Sequence, residues 1–281
     1  MIRLQHFKIF LFLFFLNFAS SSISYADLDM SQDVDLLKWR AGLFTGFNLN
    51  QHIADFKSLP NVPSCCPDYK SGLGAGFSFG GFIELPLIYR LKFAIRAEYS
   101  ILNGVLSADE KLIVDNSAGQ AVTGIFEHTI DSRIDAFKIE PIINLKLNEI
   151  NLMFGFDLTK ISTATYNQSE KILEPSDIRY ENDQRTRMNY SGNINSINKY
   201  LYGLEIGFGW DFNMDYTTSQ TQFTFSPEVF YHYSFTNFSS ADKWMIHTLS
   251  LGIAVKYNKY RSQTKEIREE TDSRPDKNKK K

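Results

Sequence analysis

Along Tyr200–Phe212, large apolar side chains occupy every even position, and Gly, Glu or Asp occupies nearly every odd one. A period of two is what a pleated strand produces, so this stretch predicts a strand lying between two different environments. Tyr200 and Tyr202 open the apolar face, Trp210 and Phe212 close it, and Leu204, Ile206 and Phe208 lie between. Rings near headgroups with aliphatic chains in the hydrocarbon are the arrangement a bilayer favours.

The same alternation recurs along the chain. Trp39, Ala41, Leu43, Phe47 and Leu49 share one face, with Arg40, Gly42, Gly46, Asn48 and Asn50 opposite. A second run sets Leu73, Ala75, Phe77, Phe79, Ile83 and Leu85 against Gly74, Gly76, Ser78, Gly80 and Glu84. A third sets Leu91, Phe93, Ile95, Ala97, Tyr99 and Ile101 against Lys92, Arg96, Glu98 and Ser100. The fourth, about Arg133 to Leu145, contains Pro141, which cannot donate to a ladder and so predicts a bulge or a local shift of register. The fifth opposes Ile150, Leu152, Phe154, Phe156 and Leu158 to Asn151, Gly155, Asp157 and Thr159. Tyr200–Phe212 is the sixth, residues 222–235 the seventh, and Trp244 to Tyr257 the eighth.

The connections alternate as well. Residues 51–72, 104–131, 166–198 and 236–243 read as the longer ones, whereas 86–89, 147–149 and 213–218 are brief turns. Short turns on one side, long loops on the other and an even strand count predict an all-β fold: an eight-stranded antiparallel up-and-down transmembrane β-barrel closed without a free edge. Insertion of 104–131 would raise the count to ten; its weak alternation otherwise reads as a hairpin clear of the bilayer. A soluble eight-stranded barrel such as a lipocalin has the same period, but its exterior needs more Lys and Glu than the Gly- and Ser-rich polar face here supplies.

Composition changes this picture little. The chain has 281 residues, a net charge of -2 and 15% aromatic residues, 24 of them Phe. Slightly negative mean hydropathy does not exclude a membrane barrel, because alternating strands average their two faces. The balanced charge gives no reason to propose nucleic acid as a partner. The N-terminus changes more: Arg3 and Lys8 precede the apolar run Ile9–Phe18, and Ser24-Tyr25-Ala26 is a small-x-small cleavage motif. We expect residues 1–26 to be a signal peptide cleaved after Ala26, followed by a polar lead-in (27–37), an outer-membrane barrel (38–260) and a charged, disordered periplasmic tail (261–281).

The segment Ala54-Asp-Phe-Lys-Ser-Leu-Pro-Asn-Val-Pro-Ser-Cys-Cys-Pro67, then Gly74-Ala-Gly-Phe-Ser-Phe-Gly80 and Glu84-Leu-Pro86, resembles the first hairpin of the porin-like outer-membrane β-barrel family, of OmpA-type or PorT-like barrel domains. Gly124-Ile-Phe-Glu-His-Thr-Ile-Asp131 and Ser226-Pro-Glu-Val-Phe-Tyr231 are similar to later parts of it. The resemblance implies an outer-membrane location, with lipid, lipopolysaccharide and the barrel-assembly machinery as partners. An OmpA-like peptidoglycan-binding domain, which some members carry after the barrel, is not implied, since 261–281 is too short and charged to fold.

Candidate chemistry is sparse. His232 and Ser234 share a strand face near Glu228, as a hydrolase acting on lipid would need, but the lipid-facing positions there belong to Tyr231, Tyr233 and Phe235. His52, His128 and His247 show no metal-ligand spacing, and no cofactor is expected. Cys65-Cys66 reads as a vicinal disulfide, free thiols or inter-chain crosslinks. The inward set is richer: Arg40, Lys92, Arg96, Lys138 and Lys256 against Glu84, Glu98, Glu140, Asp157, Glu205 and Glu228, with His232 among them. In a narrow tube such charges must pair, since a buried unpaired charge costs several kcal/mol. The expected function is non-enzymatic: a salt-bridged, largely closed barrel serving membrane integrity or contacts of its long external loops with an unknown ligand. A small porin is the alternative.

Overall fold

The computed structural model describes residues 37–59, 68–88, 90–181, 183–214 and 221–260. The expected signal peptide, the lead-in before Leu37, Cys65-Cys66 and the C-terminal tail lie outside these residues. The described chain runs through β1 (Leu37–Phe56), β2 (Tyr69–Ile88), β3 (Leu91–Ile101), β4 (Gly104–Asp115), β5 (Ala121–Leu147), β6 (Ile150–Glu174), β7 (Thr186–Asn193), β8 (Tyr200–Trp210), β9 (Phe212–Asn213), β10 (Thr221–Ser234) and β11 (Lys243–Tyr260).

All pairings are antiparallel, and the order β1, β2, β3, β5, β6, β8, β10, β11 returns to β1, so a ring of eight strands closes. The alternation is obeyed on both surfaces. Leu43, Phe77, Phe156 and Ile206 are exposed on the outside, and Asn48, Glu140, Glu205 and Lys256 are buried inside. Lipid satisfies the first set; only the lumen can satisfy the second.

The three segments off the ring prolong it. β4 continues the line of β3 beyond Leu102 and Asn103: the register that pairs Ser78 with Ser100 also pairs Gly72 with Leu106. Likewise the register that pairs Leu91 with Leu145 pairs Gly104 with Ser132. Residues 104–131 therefore add no ninth or tenth strand; they are the far half of the β3–β5 hairpin. β7 runs beside the far half of β6 in the same way. At 27 and 25 residues, β5 and β6 far exceed the roughly 9–11 that span a bilayer, so their distal halves with β4 and β7 form a four-stranded external extension.

The loop boundaries differ from the expected ones. β1 runs to Phe56 and β2 starts at Tyr69, so the 51–72 connection shrinks to residues 57–68; most of 166–198 is likewise strand, in β6 and β7. The reason is an inversion of polarity. In the spanning segments the outside is apolar and the lumen polar; beyond them Asp55, Lys70, Arg133 and Thr163 face out while Ala54, Phe56, Tyr69, Ile134 and Ile161 are buried inside. Water has replaced lipid as the outer solvent. Two local expectations also need correcting. Ile139 pairs with Leu158 and Ile142 with Gly155, so the register is unshifted across Pro141, and the bulge falls at Asp135/Ala136 instead. Tyr200–Phe212 is interrupted at Asp211, beyond which Phe212–Asn213 continues on β10 in the register of β8.

The inversion predicts unequal responses to one substitution. Ile206→Arg, halfway along a lipid-facing strand, should lower folding stability in vesicles by about 2–4 kcal/mol. Ile113→Arg, on the extension and 82% exposed, should change it by less than about 0.5 kcal/mol. Equal costs in denaturant titrations would place both sites in the same solvent.

Candidate functional site

The lumen gathers side chains from all eight ring strands, because every second residue of each points inward. Arg40 (β1), Glu84 (β2), Lys92, Arg96 and Glu98 (β3), Lys138 and Glu140 (β5), Asp157 (β6), Glu205 (β8), Glu228 and His232 (β10) and Lys256 (β11) are all buried there. A chain of contacts runs unbroken through most of them. Lys92 Nζ lies 3.2 Å from Glu84 Oε1, which lies 3.3 Å from Arg40 Nη1. Arg40 reaches Asp211 Oδ2 at 3.2 Å, and Asp211 Oδ1 accepts from Lys256 Nζ at 2.9 Å. Lys256 bridges to Glu228 at 2.9 Å, and Arg96 Nη1 donates to Glu228 Oε2 at 2.8 Å. Arg96 Nε then lies 3.6 Å from Glu140, and His232 Nδ1 lies 3.9 Å from Glu140 and 3.2 Å from Glu205. Lys138 pairs separately with Glu98 at 3.3 Å.

Sequence reasoning missed two parts of this tier. Asp211 bridges Arg40 and Lys256, and its signal was present: it is in phase with Glu205, Gly207 and Gly209. The second is aromatic. Phe44, Phe82 and Phe230 break the small-polar pattern by pointing inward, and the Arg96 guanidinium carbon sits 3.9 Å from the centre of the Phe44 ring and 4.4 Å from that of Phe230. Arg96 thus joins two carboxylates to a cage of ring faces, an arrangement a planar, weakly hydrated cation suits.

Beyond this tier lies one of amides and hydroxyls. Asn48 donates to Ser100 Oγ at 2.9 Å and accepts from Ser250 Oγ at 2.7 Å, and Thr248 donates to Asn50 at 3.2 Å. Further out, the lumen is closed by apolar side chains. Tyr69, Phe238 and Trp244 are fully buried, with Phe56 5.4 Å from both Tyr69 and Trp244 by ring centroid. The indole is a donor only, so Trp244 Nε1 donates to His52 Nδ1 at 3.0 Å and the imidazole proton sits on Nε2, facing Asn103 O at 3.3 Å. Leu106, Ile130, Ile134, Ala136, Ile161 and Tyr166 complete this plug.

The hydrolase arrangement is not assembled. His232 faces Glu205 and Glu140, whereas Glu228 is held by Arg96 and Lys256. Ser234 Oγ donates to Thr236 O at 3.0 Å, away from the imidazole. On the external extension, Asp177 accepts from Ser117 N at 2.9 Å and Oγ at 2.5 Å, which holds its carboxyl below the usual range. This tie between the two loop tips is present above the ordinary carboxylate value and is lost as pH falls through the lowered one. Tyr180 donates to Glu170 at 2.7 Å; burial, then that acceptor, holds its phenol above the ordinary value.

A closed antiparallel ring with an apolar exterior and a packed polar lumen defines a transmembrane β-barrel of the outer-membrane class. The sequence matches the family described as outer membrane protein beta-barrel domain over residues 25–240, and the chain belongs to that family. Among solved structures it is similar to Ail, the attachment invasion locus protein of Yersinia pestis (10% identity, 78% of this chain and 99% of that one, TM-score 0.30). It is also similar to Neisserial surface protein A (12% identity, 77% and 97%, TM-score 0.27) and to the outer membrane protease OmpT of Escherichia coli (8% identity, 81% and 97%, TM-score 0.29). Likeness of that order carries no argument about activity. Comparison with curated proteins yields no match.

Arg96→Ala should be the costliest single change in the lumen. It strips Glu228 and Glu140 of a cation, and breaking a buried pair from one side costs about 3–5 kcal/mol. Urea unfolding in detergent should show that loss, and a change below about 1 kcal/mol would mean that Arg96 does not hold the network together.

Proposed function

We propose that this protein is a closed, non-enzymatic outer-membrane barrel whose work is done outside the bilayer: it carries the four-stranded extension at the cell surface and adds to the integrity of the membrane. The observation that carries the reading is the filled lumen. The ion-pair chain, the amide and hydroxyl groups and the apolar plug follow one another along the tube, and an eight-stranded interior is wide enough only for its own side chains.

The extension is the surface this leaves for contacts. Val105, Leu112 and Ile113 on β4 and Tyr190 on β7 are exposed where the outer solvent is water. Beyond Leu106, β4 pairs among the described residues with β5 alone, so its other edge offers backbone groups to an extended partner. In this reading the chain is exported through cleavage after Ala26 and inserted by the barrel-assembly machinery, with lipopolysaccharide around its outer half. Single-channel recording of the refolded protein in planar bilayers should give at most small, intermittent openings. Steady openings of general-porin size would overturn the proposal in favour of a small porin.

A further inference from the structure

The lumen's ionic tier is not balanced. Among the described residues, seven carboxylates, Asp211 included, face five cations, and the shortfall lies at one end. Arg40, Lys92 and Lys256 are matched by Glu84, Asp211 and Glu228, which leaves Arg96 and Lys138 to serve Glu98, Glu140, Asp157 and Glu205. Arg96 makes its shortest ion pair with Glu228, which already has Lys256. The missing charge is that of one divalent cation.

Side-chain geometry locates it. Glu140, Glu205 and His232 come from three different strands and bring one oxygen or nitrogen each within 4.8 Å of the others. Both Glu205 oxygens, Glu140 Oε1 and His232 Nδ1 are buried with no hydrogen-bond partner among the described residues. His232 Nδ1 approaches Glu205 Oε2 to 3.2 Å and Glu140 Oε1 to 3.9 Å. Ligand bonds of about 2.0–2.2 Å around a tetrahedral ion put neighbouring ligands roughly 3.4 Å apart, between these two values. A cavity of about 20 Å³ adjoins Glu140 and His232, enough for one further ligand such as a water.

We propose that Glu140, Glu205 and His232 form a binding site for one zinc-like divalent ion, with a water as fourth ligand. One imidazole and two carboxylates are a ligand set that zinc accepts. His232 binds through the Nδ1 lone pair with its proton on Nε2, and any proton held by either carboxylate is released to solvent on loading. The site lies between the apolar plug and the Arg40–Lys92–Lys256 end of the network, so the ion enters as the barrel folds and leaves slowly. Its ligands sit on β5, β8 and β10, and it ties β5 to the β8–β10 pair, with neither of which β5 shares a turn.

The test refolds the chain in detergent with Zn²⁺ or with EDTA, desalts it and measures bound zinc by mass spectrometry. Cys65→Ser and Cys66→Ser are introduced first, because thiolates also bind zinc. One zinc per chain is expected, with occupancy falling at least about tenfold in Glu205→Gln, the loss that even outer-shell changes produce. Folding is checked by the mobility difference between unheated and boiled samples. A folded barrel without metal would overturn the site and leave a proton shared among the carboxylates; full occupancy in folded Glu205→Gln would overturn it in favour of an adventitious ion. Should that variant not fold, the Co²⁺-loaded parent decides: intense visible bands of a four-coordinate ion support the site, and weak six-coordinate bands or none overturn it.

Discussion

Closing eight strands on themselves creates a narrow interior that their own side chains must fill, and the rest of the molecule follows from that constraint. Each strand sends every second side chain inward, so long charged groups can be housed only where a neighbour has none. Gly203 provides such room: a Cβ there would collide with Asp157 Oδ1. Gly155 does the same for Glu205, whose Oε1 would be 2.9 Å from an added Cβ, and Gly207 lies under the Phe230 ring. Glycines on one strand and long acids or aromatics on the next are two halves of one packing solution. Pairing across the tube is then obligatory, because no solvent is at hand to screen an unmatched charge.

The second organising fact is the change of outer solvent along each strand. Within the bilayer the outside is apolar, so the polar residues go in; past it the outside is wet, so the apolar residues go in. β6 shows both regimes in one strand: Phe154, Phe156 and Leu158 face lipid, and beyond the bulge near Ile161 it is Ala164, Tyr166 and Ile172 that are buried. The extension therefore has a small core of its own, continuous with the plug around Trp244.

The same inversion explains which features were legible in the sequence. Eight strands, their lipid faces and the twelve inward polar residues could be read, since lipid-side alternation is unambiguous where Gly or Glu stands opposite Phe or Ile. The long connections were overestimated because the pattern around Ala54–Phe56 and Ile130–Ala136 changes phase, and a phase change looks like a loop to a period-two reading. Asp211 was legible by phase, two residues beyond Gly209 on the inward face, but was left out of the charged set. Which charge pairs with which could not be read at all: Arg96 and Glu228 are 132 residues apart, and their contact is set by the stagger of the closed ring. The cluster of Glu140, Glu205 and His232 is illegible for the same reason, as its members share no local spacing.

The central claim is that the tube is occupied along its length, and the amide layer around Asn48, fully buried between the ionic tier and the apolar plug, is the place to test it. With Cys65 and Cys66 replaced by Ser, Asn48→Cys supplies a single lumen thiol in proteoliposomes. A membrane-impermeant maleimide presented from both sides should leave the folded protein unlabelled and react only after denaturation. Rapid labelling of the folded barrel would show a water-filled path to the middle of the lumen and contradict the account.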